Sequence, residues 1–257
     1  MTRIILWLVA IMVVSLVLGF GIQALSGGYS PGSEHTLSPF RQNALLMPNT
    51  TSIPLDGATA GDISLTLGAG ELEVDGGVPD QALMEATVFS RDAVWQPDLG
   101  LSLNNSRKSV TITEKGHKGK EWFAVDSPNR WKIHISEKVP VRLDVNVGGG
   151  DMKLNLGMLN LETLAVHTGA GDTTIDLSGY RGGRFDATIK NGVGDLTLRI
   201  PRDSNMRIRA HGGIGDITHD GFIKDGETYV SPGFNSSQAV SEITLNQGVG
   251  SIILKTE

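Results

Sequence analysis

Apolar residues recur at every second position through most of the chain after residue 53, in short segments separated by Gly, Asn, Asp and Pro. A period of two is typical of β-strands that bury one face. No stretch after residue 53 has the period of an amphipathic helix. The pattern therefore predicts an all-β domain, with less regular strands near residues 83–90, 109–114 and 131–136.

A Gly-x-Gly unit, followed by an acidic or hydroxyl residue and alternating apolar residues, occurs six times. Its glycines are Gly68 and Gly70, Gly148 and Gly150, Gly169 and Gly171, Gly192 and Gly194, Gly213 and Gly215, and Gly248 and Gly250. The four central copies begin at residues 148, 169, 192 and 213, so they are 21, 23 and 21 residues apart. A period in the twenties is typical of solenoids.

A second alternating strand precedes most of the glycine pairs, so each repeat supplies two strands and two turns. We therefore predict a β-solenoid whose coils contain about 21–23 residues. The glycines are interpreted as structural turn residues, at positions where a positive φ or the close approach of neighbouring coils excludes a Cβ atom.

The N-terminal residues 4–25 form a nearly continuous apolar run, which is long enough to cross a bilayer as one helix. Arg3 precedes this run and the next basic residue is Arg41, an asymmetry that places residues 1–3 in the cytoplasm and the remainder outside. We predict a retained transmembrane anchor, with a cleaved signal peptide as the alternative.

The rest of the chain is divided by composition. Residues 26–52 are rich in Gly, Ser, Pro, Asn and Thr and are predicted to be a flexible tether. Residues 53–140 are predicted to be an irregular N-terminal β region, and residues 141–257 to be the regular coils. Residues 219–240 are predicted to form a protruding loop.

Composition removes several classes of function. The net charge is −6, so a nucleic-acid partner is not expected. There is no cysteine, which excludes disulfides and thiolate metal sites. Each Gly-x-Gly runs into another strand instead of a helix, so a nucleotide-binding fingerprint is not predicted. No cofactor and no catalytic residue is expected.

An acidic row is the clearest candidate for chemistry. Asp151, Asp172, Asp195 and Asp216 occupy the same motif position, and stacked coils would place them about 4.8 Å apart. They are candidate calcium ligands, although calcium-binding β-rolls have a repeat of about nine residues. The alternative is that each Asp accepts backbone N–H bonds in its own turn. Ser251 at the same position of the last copy favours the turn role.

Two further surfaces are candidates for binding or catalysis. The segment with Trp95, Trp122 and Trp131 is predicted either to cap the core or to bind a partner. Some β-helices cleave polysaccharides, but the outward residues Arg142, Lys153 and Arg199 form no evident catalytic site.

The chain resembles a known group of proteins in two places. The residues Gly-Ala-Gly-Glu-Leu-Glu-Val at 68–74 and Ala-Leu-Met-Glu-Ala-Thr-Val at 82–88 resemble the toast-rack family of bacterial envelope proteins. The later Gly-x-Gly-Asp coils resemble the C-terminal region of LiaF-like proteins and adhesin-like β-solenoids. LiaF-type members restrain a membrane sensor kinase during cell-wall stress, and they carry several membrane helices where this chain is predicted to have one.

The resemblance implies a non-enzymatic protein of the bacterial cell membrane. We therefore expect a non-catalytic, membrane-anchored extracytoplasmic scaffold or interaction module, with a role in sensing envelope stress. Its partner would be a protein or an envelope polymer. The alternatives are a calcium-dependent adhesin-like β-roll and a polysaccharide-acting β-helix enzyme.

Overall fold

The computed structural model describes residues 47–90, 97–114 and 129–257, which form nineteen β-strands and no helix. The strands are β1 (Met47–Pro54), β2 (Ala60–Ala69), β3 (Glu71–Gly76), β4 (Ala82–Ser90), β5 (Asp98–Asn104), β6 (Arg107–Thr113), β7 (Arg130–Ile135), β8 (Val141–Gly149), β9 (Met152–Asn155), β10 (Leu161–Ala170), β11 (Thr173–Asp176), β12 (Asp186–Val193), β13 (Leu196–Ile200), β14 (Met206–Ile214), β15 (Ile217–Asp220), β16 (Ile223–Asp225), β17 (Thr228–Val230), β18 (Ser241–Val249) and β19 (Ile252–Thr256). The predicted all-β class is confirmed.

The predicted membrane anchor over residues 4–25 lies outside the described residues. Within the three described ranges, the structure has no helix that is long and apolar enough to cross a membrane.

The strands belong to two sheets that enclose one aliphatic core. Sheet 1 has the order β1-β4-β7-β3-β9-β11-β13-β19-β15, and sheet 2 has the order β16-β17-β14-β18-β12-β10-β8-β2-β6-β5. Alternate residues of each inner strand point inward, as in β13, where Leu196, Leu198 and Ile200 are buried. The period of two in the sequence is therefore the period of core contact.

Six coils, each made of one strand of sheet 2 followed by one strand of sheet 1, correspond to the six glycine repeats. They are β2/β3, β8/β9, β10/β11, β12/β13, β14/β15 and β18/β19. Neighbouring coils pair in parallel, and equivalent positions are adjacent. Leu164, for example, lies between Leu143 and Ala187. This parallel stacking agrees with the predicted solenoid.

The order of the coils in space differs from their order along the chain. The last coil, β18/β19, is inserted between β12/β13 and β14/β15, which moves β14/β15 to the end of the stack. At the other end, β6 and β7 lie outside the first coil. The long segment between β15 and β18 gives the chain enough length to pass the outer coil and return.

Two predicted boundaries need correction. The tether was predicted over residues 26–52, but β1 begins at Met47 and pairs antiparallel with β4. The boundary predicted at residue 140 is not a break in the stack, because β2, in the region predicted to be irregular, pairs with β8 in parallel. The first coil belongs to the same stack, and the segment inserted after it obscures the repeat.

The predicted protruding loop over residues 219–240 contains a small hairpin. Strands β16 and β17 pair antiparallel, and β17 extends sheet 2 by pairing with β14. Tyr229 is buried, so part of this segment belongs to the core. Its strands have three residues each, which is too short for an alternating pattern to stand out in the sequence.

The turn between β5 and β6 has Ser106 at a position where Gly is favoured. Asn105 and Ser106 have φ angles of 47° and 64°, which is the backbone of a two-residue hairpin turn that favours Gly at its second position. We expect Ser106→Gly to raise the free energy of unfolding by about 0.4–1 kcal/mol. The urea concentration at the midpoint of unfolding measures this change. Ser102→Gly, inside β5, is the control and should lower that midpoint. A lower midpoint for Ser106→Gly would contradict the turn assignment.

Candidate functional site

The glycine pairs lie where each coil passes from sheet 2 to sheet 1. A Cβ atom on Gly169, the first glycine of its pair, would lie 2.3 Å from the carbonyl oxygen of Gly148 in the next coil. On Gly171, the second glycine, it would lie 2.1 Å from the carbonyl oxygen of Gly150. Gly171 also has a φ of +126°. The coils can stack at this distance only because these positions carry no side chain.

The row of first glycines forms the floor of a shallow groove of about 740 Å³, which crosses five coils on the outer face of sheet 2. We call it the glycine groove. Its floor consists of Gly68, Gly148, Gly169, Gly192 and Gly248, and its polar row consists of Thr66, Asn146, His167, Lys190 and Asn246. Members of the polar row are neighbours in register, since His167 pairs with both Asn146 and Lys190.

A second set of polar side chains lies inside the corner, beneath the groove. The side chain of Asn191 donates to the carbonyl oxygen of Gly194 and to Oε1 of Gln247, at 3.2 and 3.1 Å. Gln247 donates in turn to the carbonyl oxygens of Gly194 and Val249. Both side chains are buried. These bonds hold the corner backbone, and with it the groove floor, in one conformation.

An ionic cluster lies at the other end of the same strands. Arg107 donates to Glu162 and to Asp62, each at 2.9 Å, and Arg142 also pairs with Glu162 at 2.9 Å. The hydrogen bond from Arg107 lowers the pKa of Glu162 below its usual range. The four residues of this cluster come from four different strands, β2, β6, β8 and β10, so the cluster joins strands of sheet 2 and has a structural role.

The acidic row has a role that the sequence did not reveal. Oδ1 of Asp151 accepts the backbone N–H of Asp172, and Oδ1 of Asp172 accepts that of Asp195, at 3.2 and 2.9 Å. Oδ1 of Asp195 accepts the N–H of Ser251 at 2.8 Å. These three carboxylates therefore bond to the neighbouring coil, and not to their own turns, which was the alternative drawn from the sequence.

The same geometry does not assemble a calcium site from Asp151, Asp172, Asp195 and Asp216. Ser251 separates Asp195 from Asp216, because the last coil is inserted between theirs. Among the residues that the structure describes, no group of three His, Asp or Glu side chains could hold a metal ion.

The acceptor role of Asp195 can be separated from its charge. Asp195→Ala removes the acceptor for the N–H of Ser251 and should lower the free energy of unfolding by about 1 kcal/mol. Asp195→Asn keeps Oδ1 and should stay within about 0.5 kcal/mol of the wild type. Urea denaturation measures both. An equal loss in the two variants would show that the charge is what stabilises the row.

Calcium should have no effect on folding. A cation that binds only the folded chain stabilises it by RT ln(1 + c/Kd), where c is the free cation concentration, so the melting temperature rises with that concentration. Because the carboxylates of three coils already bond to backbone N–H groups, we expect equal melting temperatures in millimolar calcium and in chelator. Magnesium serves as the control for ionic strength. A higher midpoint in calcium alone would restore the calcium-dependent adhesin as an alternative.

The basic residues considered for a polysaccharide-cleaving site do not converge. Arg142 lies on sheet 2 and pairs with Glu162. Arg199 lies on sheet 1, where its Nη1 is 3.7 Å from Oδ2 of Asp176. Lys153 is exposed on the outer face of sheet 1. Two of the three therefore face away from the glycine groove.

Of the tryptophans, only Trp131 lies within the described residues. It is 0% exposed in β7, so it belongs to the core and offers no surface to a partner. Trp95 and Trp122 lie outside the described residues. The polar row, by contrast, was not singled out from the sequence, although each of its members precedes a first glycine by two positions.

Comparison with known proteins identifies the family. The sequence model for the N-terminal domain of toast_rack, DUF2154, matches residues 43–199, which is more than half of the chain. The chain belongs to the toast-rack family. This confirms the resemblance seen in the first coil and the following strand. No curated protein sequence matches the chain.

A solved structure has a fold similar to that of this chain. A candidate cell adhesion protein from Clostridium sporogenes is 25% identical, with a TM-score of 0.75 over 82% of this chain and 100% of its own. A candidate adhesin from Bacteroides fragilis is 12% identical over 84% of this chain and 98% of its own, with a TM-score of 0.31. The similarity to the second protein is too low to support an argument about function.

Proposed function

We propose that this toast-rack protein is a non-catalytic, extracytoplasmic adhesin-like module that binds its partner along the glycine groove. The observation that carries the proposal is the shape of the groove, which is open and crosses five coils. Such a shape suits an extended ligand, whereas small substrates of enzymes are usually enclosed in deep pockets. The similarity to the candidate cell adhesion protein of Clostridium sporogenes supports the same function.

The proposal includes the predicted anchorage. Residues 4–25 would hold the protein in the bacterial cell membrane as a single pass, with the β domain outside. The partner would be an envelope polymer or a protein of the envelope, and not a nucleic acid, because the net charge is −6. A role in sensing envelope stress follows from the resemblance to LiaF-like proteins and is part of this proposal.

Cosedimentation with insoluble bacterial envelope material tests the binding function. The full chain in detergent micelles should sediment with the envelopes. Asn146→Trp should reduce the bound fraction, because the indole would cover part of the groove. Lys153→Trp places the same side chain on the outer face of sheet 1 and is the matched control. The proposal fails if the wild-type chain does not sediment, or if both variants bind as the wild type does.

Protease treatment of intact cells tests the placement. A C-terminal epitope on the full chain should be removed by a protease added outside cells whose outer layers have been made permeable. An epitope that is degraded only after the cytoplasmic membrane is lysed would contradict the extracytoplasmic assignment.

A further inference from the structure

The glycine groove differs in charge from the rest of the described surface. Its lining includes Lys190 and His167 but no Asp or Glu, although acidic residues outnumber Lys and Arg by 28 to 22 in the chain. Lys190 lies between His167 and Asn246 on neighbouring coils. The carboxylates of Glu114 and Asp144 contact the groove only at its β2/β8 end, so the part over β10, β12 and β18 is a local basic site on an acidic protein.

The basic side chains elsewhere on this face are neutralised. Arg107 and Arg142 share Glu162, and Arg207 and Arg209 share Glu242. Within the described ranges, Lys190 takes part in no ion pair, and it is exposed at the edge of the groove. A cation that has no carboxylate partner on the protein can pair with an anionic ligand without first breaking an internal ion pair.

The groove also carries polar side chains that can form hydrogen bonds. Asn191 is not one of them, because it is buried beneath the floor and its side chain donates to Gly194 and Gln247. The amide of Asn246 and the hydroxyl of Thr66 line the groove, and so does Asn146, whose Nδ2 donates to Oδ1 of Asp144 at 2.6 Å. Amides and hydroxyls of this kind bind ligands that have many hydroxyl groups.

From the charge and the shape together, we propose that the glycine groove binds an acidic polysaccharide or related polyanion that lies along the stack, with its anionic groups beside Lys190. This inference rests on the proposed function and specifies the ligand of the same site. The polymer would cross the strands, so that successive units meet successive coils at about 4.8 Å intervals. The anionic group is a carboxylate or a phosphate, since Lys190 can pair with either.

Binding of defined polymers tests the inference. The full chain in detergent micelles is titrated with polygalacturonate, with a linear phosphodiester polymer of similar length, and with neutral dextran. We expect at least one of the two polyanions to bind, and added salt to weaken that binding. We expect dextran to bind more weakly. Equal binding of dextran and both polyanions would overturn the charge assignment, as would binding of dextran alone.

Variants locate the binding site. Lys190→Gln should raise the Kd for the bound polyanion about fivefold, because it removes one exposed ion pair. Lys153→Gln makes the same change on the outer face of sheet 1 and should leave the Kd unchanged. Asn246→Lys adds a second cation beside Lys190 and should lower the Kd. If Lys190→Gln has no effect, or if Lys153→Gln has an equal effect, the groove is not the polyanion site.

The polymer-binding test of this inference can fail independently of the cosedimentation test of the proposed function. If the full chain sediments with envelopes but binds neither polyanion, the adhesin-like function stands and the inference about the ligand is wrong. If it binds a polyanion through Lys190 but does not sediment with envelopes, the inference stands and the adhesin-like function is wrong.

Discussion

Gly171→Ala is expected to destabilise the protein by more than about 3 kcal/mol. The new methyl group would lie 2.1 Å from the carbonyl oxygen of Gly150, and this oxygen belongs to a backbone that cannot move without disturbing the next coil. The φ of +126° adds strain for any residue with a side chain. Overpacking and backbone strain each cost about 1–3 kcal/mol, and here they act together.

Gly149→Ala is the matched control for this prediction. Gly149 lies between the two glycines of its own pair, and a Cβ atom there would have no neighbour closer than 3.9 Å. Ala69 and Ala170 already occupy the equivalent position in neighbouring coils. Gly149→Ala should therefore stay within about 0.5 kcal/mol of the wild type.

Urea denaturation and soluble yield measure both variants. We expect Gly171→Ala to be insoluble or to unfold at a much lower urea concentration, while Gly149→Ala folds normally. A stable Gly171→Ala variant would mean that the coils can separate at this corner. The structural role of the second glycine would then have to be abandoned.

Trp131→Ala should produce the second large effect, a loss of about 3–5 kcal/mol. Trp131 is fully buried in β7, between β4 and β3 of sheet 1. Its indole fills the core near the end of the stack, where fewer strands lie beyond it to fill a cavity. The truncated side chain would leave a void that surrounding strands can close only partly.

Trp131→Phe is the control, since it keeps an aromatic ring in the core and should lose less stability than Trp131→Ala. Thermal or urea unfolding measures both losses. Because the residue is buried, polymer binding to the folded fraction of Trp131→Phe should equal that of the wild type. If Trp131→Phe lost binding while it kept its stability, a binding role for this tryptophan would be supported.

The groove shows why the candidate site could be predicted only in part. The six glycine pairs are visible in the sequence, and so is the residue two positions before each pair. Whether these residues share one face depends on the register between coils. The sequence indicated a shared register through its spacing, but Asn246 follows Lys190 in space only because the last coil is inserted there. The order along the chain would instead place His211 beside Lys190.

The acidic row could likewise be predicted only in part from the sequence. Asp151, Asp172 and Asp195 hold the same motif position on successive coils, so their stacking could be predicted, whereas Ser251 separates Asp216 from them. The hydrogen bond of each carboxylate depends on the distance between coils, which the nesting of the glycine corners determines. The sequence therefore left two roles open, calcium binding and a hydrogen bond within the turn. The observed bond to the neighbouring coil differs from both.

The sequence by itself determined the all-β class, the six repeats and their inward faces, because alternation and glycine spacing are local properties that a strand and its turn express directly. It also indicated the toast-rack family, which the match over residues 43–199 confirmed. Only the tertiary structure decided the order of the coils, the hairpin within residues 219–240, the burial of Trp131 and the existence of the groove. These features depend on which coil lies next to which, and pairing between distant segments is set by packing of the whole core.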